Sequence, residues 1–251
     1  MKLARDTWLI FQYEAGLMLR NPVNIAITLI QPITYLALFT PFLKSVLHAS
    51  SYGSAYRIYV PSLFAALGIF SGLFAGFALL AAMRQGVVTR CRVTPVSRVA
   101  LLLGRELMYV LLIGFQALVI TATALVFGLR VRPADLLLAL ALLALMVLVS
   151  VSISYALALA VPNENSLVTL VNALSVPLSL LAGVLIPLAV APQWVRNVAL
   201  WNPFAWGTNG MRAIFHGQTG AHVVWQASLI MALLAVVAVV LSSRLFSREV
   251  A

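Results

Sequence analysis

Charge is what this chain has least of. Lys, Arg, Asp and Glu make up 9% of its residues, against about 25% in a soluble domain of ordinary composition. With 63% of residues hydrophobic, no globular core could absorb the apolar surface, so the soluble classes are excluded and the chain belongs in a membrane. Cysteine is nearly absent. Cys91 stands alone between Arg90 and Arg92, which leaves it no disulfide partner within the chain and marks it as an incidental free thiol. No G-x-x-x-x-G-K-[ST] phosphate loop occurs, and no H-E-x-x-H. His48, His216 and His222 have no cysteine or carboxylate beside them, so no metal site is expected. No nucleophile–base–acid set suggests catalysis, and neither an enzymatic activity nor a cofactor of its own is expected. The acids are Asp6, Glu14, Glu106, Asp135, Glu164 and Glu249. None is expected deep in a span, which argues against a proton relay and a self-powered secondary transporter.

What is present is a series of long apolar runs, such as Leu136–Val161. They are continuous rather than alternating, which indicates helices and not the strands of an outer-membrane barrel. The spans are expected at 23–43, 58–82, 99–127, 135–160, 166–187 and 222–243. Residues 1–22 are mixed. Lys2, Arg5 and Arg20 fall on one side of a helix, with Phe11 and Met18 opposite and Trp8 on the flank, which suits a helix lying along the membrane surface. Lys2 and Arg5 precede no short apolar run with a cleavage site, so the first span is expected to stay in the mature chain. Residues 188–215 carry Trp194, Trp201, Trp206, Arg196 and Arg212 among prolines, apolar enough to dip into lipid and too broken to cross it.

The net charge of +10 reads as Lys and Arg held at the lipid–water boundary rather than as nucleic-acid binding. Six spans put both termini on one side. With the N-terminus inside, Lys2, Arg5, Arg20, Arg84, Arg90, Arg92, Arg98, Arg105, Arg244 and Arg248 lie inside. Lys44, Arg57, Arg130, Arg132, Arg196 and Arg212 lie outside, a count of ten against six that favours cytoplasmic termini. The connector 83–98 holds four arginines and no acid. Such a segment suits either docking of a cytoplasmic protein or anchoring to anionic lipid.

Asn165, Thr169, Asn172, Ser175, Ser179 and Gly183 recur every three or four residues, which lays them along one face of the fifth span, beside Pro177. Polar side chains in lipid must meet a partner helix or a wet cavity. The stripe is therefore either the wall of a translocation path or glue between helices. Gln31 and Tyr35 share a face of the first span near Thr34, and the second span offers Ser71. Its Gly68, Gly72 and Gly76 make two G-x-x-x-G steps, a packing signal.

Two segments carry a family resemblance. GVVTRCRVTPVSR, from Gly86 to Arg98, followed by Leu103-Gly104-Arg105, resembles a cytoplasmic segment of ABC type-2 permeases. PLSLLAGVLIP, from Pro177 to Pro187, continues through Pro192-Gln-Trp194 and Trp201-Asn-Pro-Phe204 to Met211-Arg212 and resembles that family's C-terminal pattern. Leu19-Arg-Asn-Pro22 with Gln31-Pro32 resembles its N-terminal pattern. Such permeases often carry a glutamate just before the first segment, where this chain has Met83-Arg84-Gln85, and Cys91 replaces a leucine.

The closest flavour is the daunorubicin-resistance type of drug exporter in the bacterial cytoplasmic membrane. The resemblance implies a dimer of two six-span halves, with the second half the same chain or a homologue. ATP and Mg would be bound by a separate ATP-binding subunit, present in two copies. Residues 84–98 would form a coupling helix, with Arg84, Arg90, Arg92, Thr94, Arg98, Arg105 and Glu164 at the ATPase-facing end. Glu164 would either cap its helix or pair with Arg98 or Arg105. Residues 188–215 would be a re-entrant pair of helices in the outer leaflet. Spans 1, 2 and 5 would line the path, with Gln31, Tyr35, Ser71, Asn165, Thr169, Asn172, Ser175 and Ser179 on it. The cargo implied is a drug, antibiotic or lipid. A lipid-linked polysaccharide, or a scaffold that only binds an ATPase, is the alternative.

Overall fold

The computed structural model describes residues 2–46, 51–86, 97–161, 163–184, 188 and 191–249. The described residues are helical, with no strand among them. α1 (Lys2–Leu19) precedes α2 (Pro22–Val46), α3 (Tyr52–Arg84), α4 (Arg98–Val126), α5 (Pro133–Ala160) and α6 (Glu164–Leu181). Two short helices, α7 (Gln193–Ala199) and α8 (Pro203–Phe215), lead into α9 (His222–Glu249). Among the described residues, five helices are long and apolar enough to cross a membrane: α3, Val99–Val126 of α4, α5, α6 and His222–Ser247 of α9. Ala26–Phe42 of α2 is a shorter apolar helix.

Local chemistry sets several boundaries away from where hydropathy put them. The second span is expected from residue 58, yet α3 starts at Tyr52 because Ser51 and Ser54 form a reciprocal capping box. Pro133 occupies the first turn of α5, where its missing N–H costs nothing. Asn163 caps α6 by accepting the Ser166 amide at 2.8 Å. At its other end α6 stops at Leu181, short of the expected 187, because Gly183 takes a left-handed φ of +69° that closes the helix. Arg90, Arg92 and Thr94 of the expected coupling helix lie outside the described residues.

α5 is the centre of the bundle. Leu142, Leu143, Met146, Val147, Val151 and Tyr155 are all buried. α5 packs on α3 through the small residues that the sequence singled out. A Cβ on Gly72 would stand 2.4 Å from Ser150 Cβ, and one on Gly76 would stand 2.6 Å from the Ser154 carbonyl oxygen. The Ser154 hydroxyl donates to the Leu73 carbonyl and accepts from the Gly76 amide at 2.8 Å. The G-x-x-x-G face therefore serves packing against α5.

The long helices alternate in direction, so the bundle has two ends. The connector end holds Arg84, Glu164 and the start of α4. The distal end holds the α4–α5 turn, α7 and α8. There Gly53 of α3 approaches Gly128 so closely that a Cβ on Gly53 would lie 2.5 Å from the Gly128 carbonyl oxygen. α2 and α6 both pack on α3, each leaving a wide exposed face.

Candidate translocation face and coupling end

The polar stripe divides. Asn165, Thr169 and Asn172 are exposed on α6, whereas Ser175 and Ser179 are buried. Gly183 lies beyond the helix and is not part of that face. Most donors on the stripe are satisfied within the helix. Thr169 Oγ1 donates to the Asn165 carbonyl and Asn172 Nδ2 to the Val168 carbonyl, each at 3.0 Å. Ser175 and Ser179 donate to the carbonyls of Val171 and Val176. Polar side chains on such a face can then sit at low dielectric without leaving a donor unpaired.

On α2, Gln31 Nε2 donates to Tyr35 Oη at 3.3 Å, and Gln31, Thr34 and Tyr35 are exposed. Ser71 of α3 is partly buried, on a face with the exposed Phe70 and Phe74. α3 contacts both α2 and α6. The expected path residues of α2 and α6 thus sit on two helices that both pack on α3.

At the connector end, Glu164 pairs with Arg84, with Arg84 Nη1 donating to Oε2 at 3.3 Å. Of the two expected partners, Arg105 is engaged elsewhere, and the Arg98 side chain lies outside the described residues. The physical reason for the Arg84 contact is the antiparallel packing of α3 on α6, which sets the last residue of one beside the first of the other. Arg105 instead donates through Nε to Glu14 Oε1 at 2.8 Å, in a largely buried pair that ties α1 to α4. The two helices meet closely there. A Cβ on Gly104 would lie 2.7 Å from Ile10 Cγ2 and 3.0 Å from the Thr7 carbonyl oxygen. Lys2, Arg5 and Arg20 remain exposed, and Trp8 stacks on Phe11 at 5.1 Å.

Glu106, expected near the boundary of its span, lies inside the bundle. It is fully buried between α4 and α5 and accepts from Ser152 Oγ at 2.8 Å through Oε1, while Oε2 has no partner among the described residues. Its position near the predicted start of a span placed it at the boundary on sequence alone. Only the packing of α5 on α4 brings Ser152 to it and closes it in.

The distal end is latched by residues that sequence reasoning read as interfacial. Arg212 of α8 donates through Nη2 to Ser62 Oγ of α3 at 2.8 Å and to the Gly183 carbonyl just past α6. Asn202 donates to the Leu178 carbonyl at 2.8 Å and accepts from the Phe204 amide at 3.1 Å. α6 is thereby tied at both ends, by Arg84 at one and by Arg212 and Asn202 at the other. Trp194 and Trp201 project outward, 69% and 90% exposed, as residues meant for an interface would. Among the described residues no group of His, Cys, Asp and Glu could hold a metal ion.

A helical bundle with five apolar helices of spanning length defines a multi-pass membrane protein. The ABC-2 type transporter family model matches residues 5–216, which takes in the connector, the stripe and the distal latch. The chain belongs to that family and is a transmembrane permease component of an ABC transporter. Membership implies partnership with an ABC ATP-binding subunit. No curated protein matches the sequence.

Proposed function

We propose that this chain is the permease half of an ATP-driven exporter of the daunorubicin-resistance type, moving a hydrophobic or amphiphilic compound out of a bacterial cell. In this reading α2, α3, α4, α5, α6 and α9 are the six spans, both termini are cytoplasmic, and α1 lies on the inner surface. α7 and α8 dip into the outer leaflet. The sequence carries no G-x-x-x-x-G-K-[ST] phosphate loop. ATP and Mg would be bound by two copies of the partner subunit, which grip residues 84–98. A second permease half, identical or homologous, would face the α2–α3–α6 side.

One observation carries this reading: the exposed polar atoms of Gln31, Tyr35, Asn165, Thr169 and Asn172 lie on the helices that flank α3. In lipid such groups need a partner helix or water. ATP-driven closure of the partner subunits would pull on the connector, reach α6 through Arg84 and Glu164, and re-aim the helices around the path. The exposed Phe70 and Phe74 on the same side suit an apolar cargo.

Cysteines placed at Asn172 and Ser179, in the complex with its ATPase, test the path. Reactivity toward a water-soluble maleimide that changes with nucleotide supports it, and an unreactive pair in every nucleotide state refutes it. Drug sensitivity in a deletion strain, set against loss of surface glycan, separates drug or lipid cargo from polysaccharide.

A further inference from the structure

The distal end holds a cavity of about 630 Å³ whose wall includes Arg57, Arg130, Arg132, Asp135, His216 and Gly217. Three helical elements build it: the first turns of α3, the α4–α5 turn, and the end of α8. The three arginines are exposed and pair with no carboxylate among the described residues. Asp135, the single acid on the wall, is buried in the first turn of α5, where the helix dipole favours it. It offsets one positive charge and leaves two. The amino end of α5 opens at this turn, with Arg132 as its N-cap and no side chain capping it. His216 turns Nδ1 toward the Arg212 carbonyl at 2.8 Å and leaves the other ring nitrogen unbonded among the described residues.

Short external loops are ordinarily poor in Lys and Arg. On the orientation proposed above, Arg130 and Arg132 sit two residues apart in a short external turn. Fully hydrated arginines there would need no cavity, whereas these flank one. A second hollow, of about 440 Å³, lies between α2, α3 and α4 at the same end, lined by Ile33, Leu36, Tyr56 and Phe127 among others. Tyr56 and Arg57 are chain neighbours, one on each wall, so α3 carries an apolar groove and a basic pocket side by side. That pairing fits an amphiphile with an anionic head and an acyl tail.

We infer that the Arg57–Arg130–Arg132 pocket binds the phosphoryl group of an anionic amphiphile, a phospholipid headgroup being the source that the adjoining apolar groove favours. Guanidinium groups meet phosphoryl oxygens in a two-pronged geometry, which suits a cluster of three. The inference goes beyond the export reading. Binding at this pocket is measured without ATPase or transport, so its failure leaves that reading untouched.

The test uses the purified full chain in neutral detergent, titrated with dioctanoyl phosphatidylglycerol or dioctanoyl phosphatidylcholine and followed by native mass spectrometry. The anionic lipid should bind more tightly, and added salt should weaken it. Arg57→Gln, Arg130→Gln and Arg132→Gln should each weaken phosphatidylglycerol about fivefold, and the triple variant about a hundredfold. Asp135→Asn removes the opposing charge and should tighten binding, an effect that misfolding would not produce. Lys2→Gln with Arg5→Gln and Arg20→Gln, an equal charge loss at the connector end, should change little. Competition by inorganic phosphate supports a site that reads the phosphoryl group from either source. Its absence assigns the lipid. Equal binding of the two lipids, or equal losses in the two triple variants, would overturn the inference.

Discussion

Arg212 and Ser62 are 150 residues apart in the chain, and the Arg212 guanidinium donates to the Ser62 hydroxyl at 2.8 Å. The same nitrogen reaches the Gly183 carbonyl, so one side chain joins α8, α3 and the end of α6. Hydrogen bonds to a charged group contribute about 1.5–3 kcal/mol each. Arg212→Ala is therefore expected to lower stability by about 3 kcal/mol. Ser62→Ala, which leaves the Gly183 bond in place, should cost about 1 kcal/mol. Thermal unfolding of the purified chain in detergent checks both, and equal midpoints for wild type and Arg212→Ala would remove the latch from the account.

Two glycines in helices make a matched pair. A methyl at Gly76 would meet the Ser154 backbone at 2.6 Å, and the backbone cannot yield cheaply, so Gly76→Ala should destabilise the bundle by about 1–3 kcal/mol. Nothing lies within 4 Å of a Cβ at Gly16, in α1. Gly16→Ala should be neutral or stabilise by up to about 1 kcal/mol through helix propensity. A Gly76→Ala midpoint at or above that of the wild type would contradict the close α3–α5 seam.

Glu106 is expected to tolerate loss of charge better than loss of shape. Glu106→Gln keeps an oxygen for Ser152 and removes a charge that is costly to bury, so stability should hold or rise. Glu106→Ala opens a cavity between α4 and α5 and frees the Ser152 hydroxyl, at a cost of about 2–4 kcal/mol. Detergent-solubilised yield and unfolding midpoint measure the difference. A Gln variant as damaged as the Ala variant would show that the ionised carboxylate itself is required.

The Arg84–Glu164 pair has half-exposed partners and little to offer stability, below about 1 kcal/mol. Its expected effect is on coupling. Arg84→Glu or Glu164→Arg alone should weaken stimulation of the partner ATPase by transport substrate, with the fold intact. The exchanged pair should restore part of it. Stimulation that is unchanged in both single variants would detach this contact from the transmission of force.

Much of the architecture was legible because hydropathy in a membrane is a one-dimensional signal. Each run long enough to cross must hydrogen-bond its own backbone, so the runs around α3, α4, α5 and α9 had to be helices. The reading of Gly68, Gly72 and Gly76 as a packing face also follows from spacing alone, since small residues on one face let two backbones approach. Element ends were less legible. The capping box at Ser51 and the left-handed Gly183 are single-residue effects that an average over an apolar window smooths away.

The sequence by itself determined the class, the family and the helical faces, because these depend on composition and on residues near one another in the chain. Only the tertiary structure decided the partners. It paired Glu164 with Arg84 and Arg105 with Glu14, enclosed Glu106, divided the stripe into an exposed and a buried half, and gathered Arg57, Arg130 and Arg132 around one cavity. The reason is that a charge in a low-dielectric bundle takes whichever opposite group the packing brings within about 4 Å. That distance depends on how the helices cross, and sequence spacing does not specify it.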